Sequence, residues 1–152
     1  MENSQLKEEI LALVPEAVVS EGKQFLEAVV PAEKLHEFAL QLKDKEELAF
    51  DFLVCLSGVD WSDHISVVYH LESIKHKHVM VLKVNLDRNN PAVDTVCDIW
   101  RTAEYHEREV YDLIGVHFNN HPDLRRIFLD DTWNGHPLLK DYVEDIHMVD
   151  RT

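Results

Sequence analysis

With 152 residues and 45% hydrophobic content, the chain has enough apolar material to bury one core, and no stretch rich in Gly, Ser or Pro divides it. A formal net charge of −14 excludes a nucleic acid or an anionic membrane as the main partner, because neutralising phosphate needs clustered Lys and Arg; a basic protein partner is left open. No run approaches the roughly 20 apolar residues that cross a bilayer, and the start, Met1-Glu2-Asn3-Ser4, is neither a secretory signal nor an Arg-rich transit peptide.

In chain order, Leu6, Ile10, Leu13 and Val14 share one helical face behind Ser4, the expected N-cap, and Pro15 ends the pattern. Val18-Val19 and the run 25–30 read as strands. Pro31 suits the first turn of a second helix, whose stripe of Leu35, Phe38, Ala39 and Leu42 needs a sheet to lie on. Runs 50–56, 65–71 and 79–86, rich in β-branched or aromatic residues, supply it; Gly58, charged residues and a solvated turn at Lys75-His76-Lys77-His78 separate them. Asn90-Pro91 breaks the strand pattern and is expected to open a helical region. The predicted fold is α+β in two layers, a mixed sheet covered by helices with an extended C-terminal tail, and there is no internal repeat. Residues 1–115 form the expected core and 116–152 an extended segment for contacts with other subunits, within one domain.

The last third is dense in ionic groups for so apolar a segment. If Thr102 caps a helix that Gly115 stops in the left-handed conformation, Ala103, Val110, Leu113 and Ile114 line its buried side. Glu104, Arg108 and Asp112 then follow one another at single-turn spacing, an arrangement typical of a solvated ion-pair ladder. His117 and His121 could align two imidazoles on a helix, but Asn119-Asn120 and Pro122 favour a turn over a metal site. Trp133, Leu138 and Tyr142 around Gly135 and Pro137 predict an irregular segment, which either anchors to a partner or packs back on its own domain. Cys55 and Cys97 have no Cys-x-x-Cys spacing and are expected as buried, reduced thiols. There is no Gly-x-Gly-x-x-Gly, Walker loop or zinc spacing, and Asp130-Asp131 reads as a turn rather than a catalytic carboxylate pair, so no independent catalytic constellation is legible.

Taken together, Glu107-Arg108-Glu109, Asp112 and Gly115, then His121-Pro122-Asp123-Leu124-Arg125-Arg126, then Trp133-Asn134-Gly135-His136-Pro137 and Lys140-Asp141-Tyr142 resemble the signature of the 30 kDa subunit of respiratory complex I, the C subunit of bacterial NADH-quinone oxidoreductases. Trp100 and Ala103 fit that family's lead-in, and the spacing runs unbroken to Tyr142. Thr132, Leu139 and Val143 depart from the usual pattern, and Leu139 replaces an arginine that would add an ionic contact.

The resemblance implies an accessory peripheral-arm subunit of a proton-translocating enzyme, with no redox centre, no catalytic residue and no cofactor of its own. It implies that the assembled complex uses NADH, FMN, iron-sulfur clusters and quinone. It also implies that the D (49 kDa), I and B subunits are the partners, and that the acid-base cluster organises the junction with them. His136 would make a structural hydrogen bond. The expected location is the cytoplasmic face of a bacterial membrane, reached through those partners. The equivalent component of a related membrane-bound hydrogenase or formate-hydrogenlyase complex, or a free-standing acidic binding module, are the alternatives.

Overall fold

A computed structural model describes residues 2–144. Helix α1 (Asn3–Leu13) begins ahead of Ser4, because Glu2 occupies the cap and donates its N–H to Gln5 Oε1 at 3.4 Å. Leu6 and Ile10 are its buried residues. Strands β1 (Val18–Glu21) and β2 (Leu26–Val29) follow as an antiparallel pair. A 3-10 turn at Ala32–Lys34 then leads into α2 (Leu35–Asp44), which buries Leu35, Phe38, Ala39 and Leu42, the full predicted stripe. Each such side chain taken out of water contributes about 1.5–3 kcal/mol, with the smaller alanine below that range.

Strands β3 (Phe52–Asp60), β4 (His64–Ser73) and β5 (His78–Asp87) complete a five-stranded sheet of order β1-β2-β5-β4-β3. All neighbours are antiparallel except β2 and β5, so the sheet is mixed. Along β4, Ile65, Val67, Tyr69 and Leu71 are buried, while Val68, His70 and Glu72 on the opposite face are only partly covered. This alternation is what one helical layer on one face of a sheet produces.

Several local expectations are corrected. Gly58 does not separate strands but lies inside β3, where an added Cβ would stand 2.8 Å from Val110 Cγ1; the helix after residue 102 packs that closely on the strand. Asn90-Pro91 leads into strand β6 (Ala92–Asp94), not a helix. A parallel partner 25 residues on, β7 (His117–Asn119), overrides the local signal: His117 N–H donates to Pro91 O and Thr95 N–H to Asn119 O, both at 2.9 Å. Cys55 and Cys97 are free thiols but half-buried, Cys55 lying 3.3 Å from His70 Nδ1. The 75–78 turn is less solvated than expected, since the His76 and His78 rings stack and donate Nε2–H to Glu46 O and Leu48 O. Val93, Val96, Trp100, Val116 and Phe118 extend the hydrophobic core beneath the segment that follows.

Candidate functional site

Helix α3 (Ala103–Ile114) is amphipathic in an unusual sense: its buried face carries Glu107, Arg108 and Asp112 beside Ala103, Val110 and Ile114. Thr102 precedes it with helical dihedrals and does not cap; its hydroxyl reaches toward Leu53 O at 3.5 Å instead. Leu113 is half-buried rather than core. Gly115 stops the helix at φ +88°, its N–H donating to Tyr111 O and Val110 O, and the His136 ring lies where a Cβ would stand.

The three ions do not form a ladder on a wet face. Arg108 Nη2 donates to Glu104 Oε1 (3.1 Å) and, off the helix, to Asp123 Oδ2 (2.9 Å), with its guanidinium 5.1 Å from the exposed Tyr105 ring. Asp112 faces elsewhere and is wholly buried. Its Oδ2 accepts the consecutive N–H groups of Ile127, Phe128 and Leu129 at 3.1, 2.7 and 3.1 Å, while Oδ1 takes Arg126 Nη1 at 2.8 Å. Burial alone would raise this carboxyl, but the Phe128 N–H, the Arg126 guanidinium and the two remaining N–H groups outweigh it and hold the value below the ordinary range. Arg126 Nη2 continues to Gly135 O (2.8 Å) and Trp133 O (3.3 Å), and His136 Nδ1 donates to Asp112 O (2.9 Å). One aspartate and one arginine therefore satisfy the backbone of two loops. The planar guanidinium fork suits this, because it fixes several acceptors in set directions.

A second clamp holds the distal block. Asp60, at the end of β3, receives Arg88 Nε and Nη2, both at 2.9 Å, together with Lys140 N–H at 2.9 Å and Ser62 N–H at 2.8 Å. The Arg88 fork holds its carboxyl well below the usual range despite burial, and Arg88 in turn grips Asp141 at 2.8 and 3.2 Å. Tyr142 accepts Trp133 Nε1–H at 3.1 Å and covers Gly135, whose φ is +89°. Trp133 N–H bonds Asp130 O, so Asp130 and Asp131 do belong to a turn.

Nearer the N-terminus of α3, Glu107 is wholly buried and accepts the Thr95 hydroxyl and Val96 N–H (2.8 Å). Burial pushes its carboxyl up to about 7 in spite of these donors. His121 Nε2 lies 3.7 Å from Glu107 and donates to Glu104 O at 2.9 Å.

The structure thus gathers Asp112, Gly115, Arg126, Trp133, Gly135, His136, Asp141 and Tyr142 into one linked system, with Glu107, Arg108 and His121 beside it. Glu109, Pro122 and Arg125 stand exposed, Arg125 pairing with Asp123 at 3.0 Å; Lys140 contributes its backbone N–H, and Pro137 is half-buried. Sequence reasoning missed Asp60, Arg88 and Thr95. Their only signal is the isolated polar group at each strand end, because their partners lie 12 to 80 residues away. No group of three or more potential metal ligands occurs among the described residues.

A model of the family described as respiratory-chain NADH dehydrogenase, 30 Kd subunit, matches residues 28–147. The C subunit of the NADH-quinone oxidoreductase of Moorella thermoacetica is 42% identical over 137 residues, 89% of this chain and 91% of that protein. The C/D subunit of Phocaeicola vulgatus is 45% identical over 125 residues, and the C subunit of Chloroherpeton thalassium 44% over 112. These matches take in 81% and 72% of this chain but only 24% and 47% of those two proteins, so the chain spans about a quarter and about half of their lengths. Among solved structures, a trypsin-resistant fragment (1-134) of Nqo5 superposes with TM-score 0.69 at 28% identity, over 82% of this chain and 100% of that one. A chain of the membrane-bound sulfane sulfur reductase, an archaeal respiratory membrane complex, gives 0.74 at 28% identity, over 87% and 79%. The chain belongs to the 30 kDa subunit family of the respiratory-chain NADH dehydrogenase.

Proposed function

We propose that this chain is an accessory peripheral-arm subunit of a proton-translocating NADH-quinone oxidoreductase, a non-catalytic component that holds neighbouring redox subunits in register. In this reading the NADH, FMN, iron-sulfur clusters and quinone belong to the assembled complex, and the chain has no redox centre of its own. It sits on the cytoplasmic face of the membrane through the D, I and B subunits. Residues 1–115 act as the core, and residues 116–152 as the contact segment. The part of that segment beyond residue 144, which the family match enters, lies outside the described residues.

The observation that carries the proposal is how the segment is held. Asp112, Arg126 and Asp60 satisfy its backbone from the inside and Arg88 grips the Asp141 side chain, which leaves Ile127, Phe128, Leu138 and Val143 turned outward at 38, 64, 59 and 70% exposure. Apolar side chains displayed on a rigidly held loop suit a docking surface. The likeness to the sulfane sulfur reductase chain supports a second reading, in which the same architecture serves a related membrane complex with a different electron donor or acceptor.

The test is to tag the chain in its native host, extract membranes gently, and identify what co-purifies while assaying NADH-quinone activity. Recovery of the B, D and I subunits with that activity supports the first reading, and recovery with other redox proteins supports the second. Phe128→Ser and Arg125→Ala alter exposed side chains, so both variants are expected to fold normally and yet lose partners. Full assembly of both would count against the docking surface.

A further inference from the structure

The C-terminal segment is tied to helix α3 where the helix ends, and a narrow cleft is left between them. Leu138 N–H donates to Leu113 O at 2.9 Å, which sets the Leu138 side chain beside the last turns of the helix. Strand β3 supplies the facing wall through Ser57 and Gly58, and Glu109, Val110 and Leu113 of α3 line the rest. The walls are fixed against each other, because Gly58 lets α3 approach the strand so closely that a Cβ there would stand 2.8 Å from Val110 Cγ1. Strand β3 is an edge of the sheet, so no further strand closes the cleft on its outer side.

Size and lining decide what fits. The cleft holds about 100 Å³, well below the roughly 300–1,000 Å³ of small-molecule sites. That is room for one side chain. Its lining is mainly apolar, yet Glu109 is exposed, as are Ser57 and Leu138. Glu109 forms no ion pair among the described residues, and the arginines of the neighbouring segments are spent elsewhere: Arg108 on Glu104 and Asp123, Arg125 on Asp123, and Arg126 on Asp112. An apolar slot that ends in an unpaired carboxylate suits a side chain with a hydrocarbon stem and a cationic head. A leucine or phenylalanine would fill the slot but strip water from Glu109 without giving it a partner, which is unfavourable. The net charge of −14 adds a long-range preference for a cation.

We infer that this cleft receives a lysine or arginine side chain of a neighbouring protein, its stem against Val110, Leu113 and Leu138 and its charged head on Glu109. This rests on the proposed role of the C-terminal segment as a contact surface, and adds the chemistry of what it contacts.

The experiment uses the full chain, tagged in its native host, with Glu109→Lys and Phe128→Ser compared for the subunits that remain bound after gentle membrane extraction. Both positions are exposed, so both variants keep the fold. Close opposite charges across an interface couple strongly, so placing a like charge at 109 is expected to lower recovery of bound subunits by about tenfold or more. A photo-crosslinking residue in place of Ser57 then identifies the peptide at the cleft, which is expected to carry Lys or Arg at the linked site. Changing that partner residue to Glu is expected to restore recovery with Glu109→Lys but not with Phe128→Ser. Full recovery with Glu109→Lys beside a loss with Phe128→Ser would overturn the inference and leave the contact surface standing, whereas the reverse pattern supports the cleft and counts against the wider surface around Phe128. Full recovery with both variants would overturn both. A linked peptide that presents only apolar residues to the cleft, or a charge exchange that restores nothing, would overturn the inference as well.

Discussion

Replacing Asp112 by alanine removes the acceptor for three consecutive backbone N–H groups and the counter-ion of Arg126, all in a place closed to water. Breaking one partner of a buried ion pair costs about 3–5 kcal/mol, because the survivor stays buried and uncompensated. A domain of this size has about 5–15 kcal/mol of total stability. Asp112 holds the 126–136 loops rather than the sheet, so the loss falls on those loops and the core persists. Hydrogen exchange at the amides of Ile127, Phe128 and Leu129 in Asp112→Ala is expected to quicken by about a hundredfold or more, at about 1.4 kcal/mol per tenfold, while the amides of β4 and β5 keep their protection. Acid offers the same perturbation without a mutation. The Asp112 carboxyl lies below its ordinary 3.8 in the fold, so its contribution is present above that value and is lost as pH falls through the folded one. The loop amides of the wild type should therefore lose protection below about pH 4, ahead of the sheet. Unchanged protection at residues 127–129 in Asp112→Ala would refute the reasoning outright.

Arg125 and Arg126 are adjacent in sequence and opposite in role: Arg126→Ala is expected to weaken the protection of the 127–129 amides by about 3 kcal/mol in hydrogen exchange, while Arg125→Ala, which exposes nothing new, leaves it unmoved. Asp60→Asn weakens the acceptor set for Arg88 and Lys140 N–H, so exchange at the Lys140 amide should quicken while that at Phe128 stays unchanged. Gly58→Ala drives a Cβ to 2.8 Å from Val110 Cγ1 and should cost about 1–3 kcal/mol by overpacking; adding Val110→Ala should restore part of it, and a strictly additive double variant would place the strain elsewhere.

What the sequence disclosed divides by range. The stripe of α2 and the three long strands were legible because their signals are periodic and local, and Gly115 was legible as a helix stop because a positive φ favours glycine. Strand β6 was not legible, since only its pairing with β7 makes residues 92–94 extended. The ionic system was visible as a set of residues but not as a wiring diagram. Spacing alone joined Arg108 to Asp112, whereas the fold turns Asp112 toward Arg126 and gives Arg108 to Asp123. Asp60 and Arg88 went unseen because each is an ordinary strand-end charge until the chain brings Lys140 and Asp141 beside it.

The interior placement of these charges is itself an argument about what the segment does. Buried ion pairs add little net stability compared with apolar replacements of the same volume, but they impose direction. Between Asn120 and Glu144 the described chain has no helix or strand to satisfy its backbone, and buried N–H and C=O groups must still find partners. Exchanging Asp112 and Arg126 for Leu and Met would fill the space yet leave the N–H groups of residues 127–129 and the carbonyls of Trp133 and Gly135 unpaired. The conformation of the loops is thus set by carboxylates and guanidinium forks beneath them, not by the side chains that point outward. Phe128 and Leu138 can then change to suit whatever they face without altering the backbone that presents them, which is the property a docking surface on a rigid subunit requires.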